Sequence, residues 1–150
     1  MDIGSKSGYP SSALSNFAGH AFTIDNVLCN SMEGFLQSLK FKNPEMQVEV
    51  CKLIGIKAKM KGKGKNWWKT QKLHWKGKEI DRHSQEYQSL LNKAYQAMYN
   101  QSEGFRNALN ASKGATLTHS IGKNKESSTV LTEREFCSRL TKLRDFGKLG

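Results

Sequence analysis

Apolar residues recur at helical spacing in five segments of the chain, and this pattern predicts a mainly helical protein. Residues 20–28 alternate apolar and polar positions instead, with Phe22 and Ile24 on one side and Asp25-Asn26 as a turn, which predicts a small hairpin. Each helical segment begins at a residue type that commonly caps helices. The predicted caps are Asn30, Asn43 followed by Pro44, Ser84, Ser102, and Thr132 with Glu135 three residues later.

These elements fit a single domain of the mainly α (α+β) class. A chain of 150 residues is long enough to bury one core, and it contains no internal repeat or second domain. Residues 1–8 are rich in glycine and serine and predict a flexible lead. Residues 9–145 then form the folded domain, and residues 146–150 form a C-terminal tail.

The segment 52–78 carries almost all of the net charge of +11. It contains ten lysines and no acidic residue, which leaves 14 basic against 13 acidic residues elsewhere. Gly62 and Gly64 predict an irregular backbone at its centre, and Gly55 is expected to end the preceding helix. The charge favours a polyanionic partner, a nucleic acid or a diphosphate; the alternative is a solvated loop. Three tryptophans in the segment offer either stacking surfaces or core anchors: Trp67, Trp68 and Trp75.

The cysteines and histidines show no metal-binding or disulfide pattern. Cys29, Cys51 and Cys137 are odd in number and widely spaced, which indicates reduced thiols of a cytoplasmic protein. Cys51 and Cys137 fall within apolar helical patterns and are expected to be buried. The histidine spacings fit no metal site and no cofactor motif occurs, so neither a metal nor a cofactor is expected. No apolar run approaches a membrane span, no secretory signal is visible, and no membrane partner is expected.

The segment 30–41 predicts a short helix with two chemically distinct faces. Glu33, Gln37 and Lys40 lie at helical spacing beside an apolar stripe, so a carboxylate, an amide and an ammonium line the edge of the buried face. A half-buried glutamate there can have a raised pKa and transfer protons. With Asn30 as the cap, Glu33 also suits the third position of a capping box; the local pattern alone favours that role, and both roles stay open. The stripe consists of Met32, Phe35, Leu36 and Leu39.

Three short motifs open the chain in a recognisable order. They are LSNF at residues 14–17, FTID at residues 22–25 and SMEGFLQSLKF at residues 31–41. They resemble the "SNF", "FT-x-D" and "VEHYxQAxKF" motifs of the NADAR family, also called YbiA-like, with Glu33 at the position of the motif's glutamate. The order and spacing of the later helices extend the resemblance over residues 9–144.

The resemblance implies a single-domain multihelical NADAR fold and an enzyme that hydrolyses N-glycosidic bonds. The implied substrate is ADP-ribose on guanine in nucleic acid, or an ADP-ribose-like nucleotide, which would pair the protein functionally with an ADP-ribosyltransferase. Ribosylamino-pyrimidine intermediates of riboflavin synthesis are the alternative substrates. The family's catalytic glutamate falls on Glu33, where it would stabilise an oxocarbenium ion and orient water. Asn16 and Phe17 match residues that line the pocket. A non-catalytic module that binds ADP-ribose or nucleic acid is a further alternative.

The segment 117–123 departs from the family. Members usually end with a Ser-Pro…Asp…Trp-Gly-x-Gly segment, and the corresponding region here lacks that Asp and Trp. His119, Ser120, Gly122 and Lys123 lie where the family places pocket-facing residues. These four residues are therefore candidate substrate contacts; the alternatives are an ordinary loop histidine at His119 and a turn shaped by Ser120 and Gly122.

The other candidate contacts follow from side-chain chemistry. Asn16, Gln37 and His119 can donate hydrogen bonds to the leaving base, and Lys40 can neutralise a phosphate. We expect Glu33 to open onto a concave pocket shared with Asn16 and His119. The aromatic candidates for stacking on a base are Phe17, Trp67 and Trp68.

Overall fold

The computed structural model describes residues 1–150 as a mainly helical protein with two small antiparallel hairpins. None of its helices combines the length and the hydropathy that crossing a membrane requires. The α-helices are α1 (Ser11–Leu14), α2 (Met32–Ser38), α3 (Pro44–Cys51), α4 (Gly55–Gly62), α5 (Trp67–Thr70), α6 (Gln85–Gln101), α7 (Glu103–Ala111) and α8 (Glu133–Phe146). The strands are β1 (Phe22–Ile24), β2 (Val27–Cys29), β3 (Lys72–Trp75) and β4 (Lys78–Asp81), and a 3-10 turn spans Glu126–Ser128.

Four of the five predicted helix starts are confirmed by side-chain caps. In each, the capping oxygen accepts a hydrogen bond from a backbone N–H of the first turn, which satisfies a donor that has no partner within the helix. The confirmed caps are Asn43 for α3, Ser84 for α6, Ser102 for α7, and Thr132 for α8 with Glu135 completing the capping box.

The predicted cap of α2 is wrong by one residue. Ser31 is the cap, since its Oγ accepts from the Gly34 N–H at 3.0 Å and donates to the Leu53 carbonyl at 2.8 Å. Asn30 instead donates its side-chain amide to the carbonyl of Lys52. Glu33 therefore lies at the second helical position, and its carboxylate takes no part in the cap.

The predicted N-terminal hairpin is confirmed. β1 and β2 pair antiparallel with Phe22 opposite Cys29. Asp25 and Asn26 have φ angles of 49° and 65°, the left-handed backbone that a two-residue hairpin loop requires. The alternating burial of the strands places Phe22 and Ile24 in the core, as their spacing predicts.

The lysine-rich segment is more regular than its sequence predicts. Gly55, expected to end the preceding helix, begins α4 at a φ angle of +60°. α4 forms because Ala58 and Gly62 are buried on its inner face, where α4 packs on α2, and tertiary packing outweighs the weak helix propensity of glycine. A second hairpin follows, in which Lys76 and Gly77 form the turn between β3 and β4.

The core lies around α6, which contacts α2, α7, α8 and β1. Phe35 of α2 packs edge-on against Trp75 at a centroid distance of 5.0 Å and against Phe22 at 6.3 Å. Cys51 and Cys137 are buried as predicted, and all three thiols are free. The inward face predicted for α6 is confirmed, with Tyr87, Leu90, Leu91, Ala94, Tyr95 and Met98 all buried.

Residues 1–8 do not form the flexible lead that their composition predicts. Ile3 is 1% exposed and belongs to the core. Its N–H donates to the Thr118 carbonyl at 2.8 Å, and Asp2 and Thr118 form a parallel bridge. One buried apolar side chain and this pairing outweigh the local preference of glycine and serine for disorder.

A buried ion pair links the end of β4 to α8. Arg82 is 0% exposed and donates from Nη1 and Nη2 to the two carboxylate oxygens of Glu135, at 3.1 and 2.7 Å. Its Nε donates to the Thr129 carbonyl, and its guanidinium lies over the Tyr87 ring. The planar fork of arginine matches a carboxylate in this geometry, so the charges are fully paired.

Candidate active site

The polar edge predicted for α2 is present, and Glu33 lies at its centre. Gln37, one helical turn later, donates from Nε2 to Glu33 Oε2 at 2.7 Å. The other oxygen, Oε1, accepts no hydrogen bond from the protein and is not enclosed. The carboxylate is half-buried, with one oxygen fixed and one available to a ligand or a water molecule.

The loop that precedes β1 is tied to α2 and to α6 through Asn16. The Glu33 N–H donates to the Asn16 carbonyl at 3.0 Å, and the Tyr95 hydroxyl donates to Asn16 Oδ1 at 2.8 Å. Burial raises the pKa of Tyr95, so its hydroxyl stays a donor. The Asn16 Nδ2 donor has no protein acceptor, and the adjacent Phe17 ring lies half-exposed beside Gly55.

The electrostatic environment of Glu33 suits proton transfer. Burial raises the pKa of Glu33, and the hydrogen bond from Gln37 and electrostatic interactions with Lys40, Lys59 and His119 oppose that rise. The net result is a pKa above the ordinary glutamate value. A carboxylate in these conditions can take a proton from water or balance a positive charge that develops beside it.

Lys40 places positive charge near Glu33, and Lys123 lies near Lys40. Burial lowers the pKa of the half-buried Lys40, Glu33 raises it, and the nearby Lys123 lowers it. Two neighbouring cations that repel each other form a favourable position for an anionic group such as a phosphate.

The loop 118–123 brings His119 to the site. The His119 N–H donates to Glu133 at 2.7 Å, and Nδ1 donates to the Ile3 carbonyl at 2.8 Å. Because a carbonyl only accepts, Nδ1 carries the hydrogen and Nε2 is the free ring nitrogen. The ring packs edge-on against Phe136. Gly122 is required here, because a Cβ at that position would lie 2.8 Å from His119 Cδ2.

Ser120 is held by the N-terminal segment. Its N–H and its Oγ donate to the two carboxylate oxygens of Asp2, at 2.7 and 2.6 Å. The hydroxyl is therefore occupied, and Ser120 shapes the loop beside His119 without presenting a free donor.

The three tryptophans have different environments. Trp67 is 8% exposed and Trp75 is 6% exposed, and both belong to the core; Trp75 also donates to Asp25 at 2.8 Å. Burial removes Trp67 from the candidate stacking residues. Trp68 is 54% exposed and, with Phe17, keeps a face available for a base.

The basic segment forms a charged surface on α4 and α5. Apart from Lys76, which donates to the Asp25 carbonyl, six of its lysines have no carboxylate within 4.0 Å, in contrast to those that pair with Glu49, Asp81 and Glu86. Unpaired cations at this density attract a polyanion and release its counterions on binding. The six are Lys57, Lys59, Lys61, Lys63, Lys65 and Lys69.

Two clefts on the protein lie away from Glu33. One of about 430 Å³ is lined by polar residues of α6 and α8, among them Gln88, Glu135 and Arg139. The other, of about 590 Å³, lies between residues 114–117 and α8. Neither borders Glu33, so neither is the concave pocket predicted for Glu33, Asn16 and His119. No cluster of three or more His, Cys, Asp or Glu side chains is placed to hold a metal ion.

Sequence reasoning missed three residues of the site. Tyr95 has the spacing of a core residue, and no local signal marks its bond to Asn16. Lys59 is one lysine of a run, and only the packing of α4 brings its charge near Glu33. Asp2 lies in a segment predicted to be flexible. Each depends on a contact between residues distant in sequence, which periodicity does not encode.

Comparisons with known proteins agree with this architecture. The NMR structure of the E. coli protein YbiA matches with a TM-score of 0.62 at 17% identity, over 97% of this chain and 82% of that one, which confirms the predicted YbiA-like fold. An uncharacterized 17.1 kDa protein from the Gp30-rIII intergenic region of Enterobacteria phage T4 is 40% identical over 149 residues, 97% of each chain. The model of the bacteriophage protein GP30.3 family, which is related to NADAR, matches residues 8–145. The chain therefore belongs to the bacteriophage protein GP30.3 family.

Proposed function

We propose that the protein hydrolyses an N-glycosidic bond and removes ADP-ribose from guanine in nucleic acid. The observation that carries the proposal is the Glu33 carboxylate, half-buried on the edge of α2 with Oε2 held by Gln37 and Oε1 free. The YbiA-like fold of the protein supports a function of the NADAR type. An ADP-ribosyltransferase must make such a substrate, so a functional pairing with one is part of the proposal.

The reaction breaks the bond between the anomeric carbon of ribose and the guanine nitrogen. The bonding electron pair leaves with the base, and positive charge develops on the sugar as an oxocarbenium ion. Glu33 stabilises that charge and accepts a proton from the attacking water, whose oxygen forms the new bond to the anomeric carbon. The base takes up a proton from solvent as it departs, and Glu33 returns its proton to solvent.

Neighbouring residues have roles that follow from their contacts. Asn16 Nδ2, which has no protein acceptor, would donate to the leaving base, and Phe17 would stack on it. Lys40 and Lys123 would neutralise the diphosphate. His119 would act through Nε2, since Nδ1 is bound to a carbonyl.

The decisive experiment replaces Glu33 by glutamine and measures release of ADP-ribose from a guanine-ADP-ribosylated oligonucleotide. We expect the variant to fold and to lose about 10²–10⁴-fold in turnover, the usual contribution of a positioned acid or base. Glu45→Gln, an exposed change on α3, should leave turnover unchanged. A folded Glu33→Gln protein with undiminished turnover would refute the proposal, and cleavage only of free ribosylamino-pyrimidine phosphate would redirect it to the riboflavin intermediates.

A second candidate is a module that binds ADP-ribosylated nucleic acid without cleaving it. The unpaired lysines of α4 and α5 and the exposed Trp68 favour it. It predicts salt-dependent binding with no product. Replacing Lys57, Lys59 and Lys61 with glutamine should reduce the slope of log Kd against log salt by about 2, since each phosphate contact contributes about 0.7 for a single strand. Binding insensitive to salt would count against it.

A further inference from the structure

We infer that Gln37 is a positioning residue for Glu33, accommodated by Gly62 of α4, and not a residue that contacts substrate. The inference rests on the proposed function of Glu33. Gln37 is 6% exposed, so little of its side chain can reach a ligand. Its Nε2 donor is already used, 2.7 Å from Glu33 Oε2.

Gly62 provides the space that the Gln37 side chain occupies. A Cβ built at position 62 would lie 1.8 Å from Gln37 Oε1 and 2.8 Å from its Cδ, far inside van der Waals contact. The absence of a side chain at Gly62 therefore creates the space that the amide occupies. Alanine there would displace the amide while changing no polar group.

The Gln37 amide has one orientation that suits an ionised Glu33. Its Oε1 is enclosed and has no hydrogen-bond partner. Reversing the amide would bring this oxygen against the carboxylate, where two acceptors repel. The present orientation leaves one acceptor unsatisfied, which is costly in a buried site, and presents the N–H to the carboxylate.

The hydrogen bond from Gln37 influences the ionisation of Glu33. Burial disfavours the ionised carboxylate and raises its pKa, whereas the Gln37 donor favours the ionised form. With Oε2 fixed by Gln37, Oε1 is the oxygen that remains available to a ligand. The other groups that act on Glu33 are Lys40 of α2, Lys59 of α4 and His119 of the loop 118–123, while Tyr95 of α6 faces it as a neutral hydroxyl.

Two variants on different helices test the inference. Gln37→Met removes the donor at similar length, and Gly62→Ala displaces it. In both we expect the titration midpoint of the Glu33 carboxyl, followed by ¹³C NMR and assigned with Glu33→Gln, to move to higher pH. We expect kcat/KM to fall about tenfold on the acidic side of its profile, the effect of one hydrogen bond to a charged group, with KM unchanged. Gly8→Ala, where a Cβ meets nothing within 4 Å, is the control.

The double variant Gly62→Ala/Gln37→Ala provides the second test. The shorter side chain removes the contacts of 1.8 and 2.8 Å and leaves only the Cβ of residue 37, 3.2 Å from the new methyl group, so Gly62→Ala should have a much smaller effect in the Gln37→Ala background. Additive effects, or an unchanged Glu33 titration in Gln37→Met, would overturn the inference, as would a raised KM at constant kcat. A shifted titration in a protein without glycosidase activity would refute the proposed function and uphold the positioning role.

Discussion

Replacing Glu135 by glutamine leaves the buried Arg82 guanidinium without its carboxylate and should destabilise the fold strongly. Burial opposes ionisation of Glu135, but hydrogen bonds from Arg82, Gln88 and the Thr132 backbone outweigh it and hold the pKa at about 2, against an ordinary 4.5. At about 1.36 kcal/mol for each pH unit of difference, the ionised form contributes about 3 kcal/mol to stability. This agrees with the roughly 3–5 kcal/mol lost when one partner of a buried pair is removed.

The sign of the pH dependence follows from the lowered pKa. The contribution of Glu135 is complete above pH 4.5, the unfolded value, and is lost as the pH falls towards about 2. Wild-type protein should therefore lose stability across this window. The Glu135→Gln variant has no carboxyl group at this position to titrate, so it should not lose this contribution to stability. The difference in free energy of unfolding between the two proteins should therefore decrease as the pH falls.

Urea unfolding followed by circular dichroism at several pH values measures both effects. Glu49→Gln is the control, because Glu49 pairs with Lys52 at 3.4 Å with both side chains at least half exposed; such a pair contributes about 0–1 kcal/mol. A free energy of unfolding of Glu135→Gln within about 1 kcal/mol of the wild-type value at pH 7 would refute the predicted contribution of the buried pair. The same pH dependence of stability in both proteins between pH 4.5 and 2 would also refute it.

Three further substitutions have defined outcomes. Ser31→Ala removes the cap bond to Gly34 and should lower the free energy of unfolding by about 1 kcal/mol in urea. Tyr95→Phe removes the hydrogen bond to Asn16 and should lower kcat, with the free energy of unfolding reduced by about 1–2 kcal/mol. An unchanged kcat would show that this hydrogen bond to Asn16 does not contribute to catalysis. Trp68→Ala should weaken binding of modified oligonucleotide about tenfold without altering the circular dichroism spectrum.

The part of the site that lies within one helix could be predicted from the sequence. Glu33, Gln37 and Lys40 share an edge of α2 because helical spacing alone places them there. The exact cap residue of α2 could not be predicted in the same way. Ser31 and Asn30 are both good caps, and the choice between them depends on the Leu53 carbonyl, which accepts from Ser31.

The contacts between distant segments could not be predicted. Ile3 is a single apolar residue in a polar stretch, and nothing local indicates that it pairs with Thr118. Arg82 follows an aspartate in a basic region, yet it is buried because Glu135, on another element, neutralises it. Such pairings are determined by the whole chain, so single-sequence patterns carry little information about them.

The unequal exposure of the three indoles gives the protein two independent optical signals. A water-soluble quencher such as iodide reaches Trp68, which is 54% exposed, but not Trp67 or Trp75, which are 8% and 6% exposed. A ligand bound to the basic surface would shield Trp68 from the quencher, whereas denaturation would expose Trp67 and Trp75 to it. Fluorescence can therefore follow occupancy and unfolding separately in one unlabelled sample, and Trp68→Ala isolates the second signal.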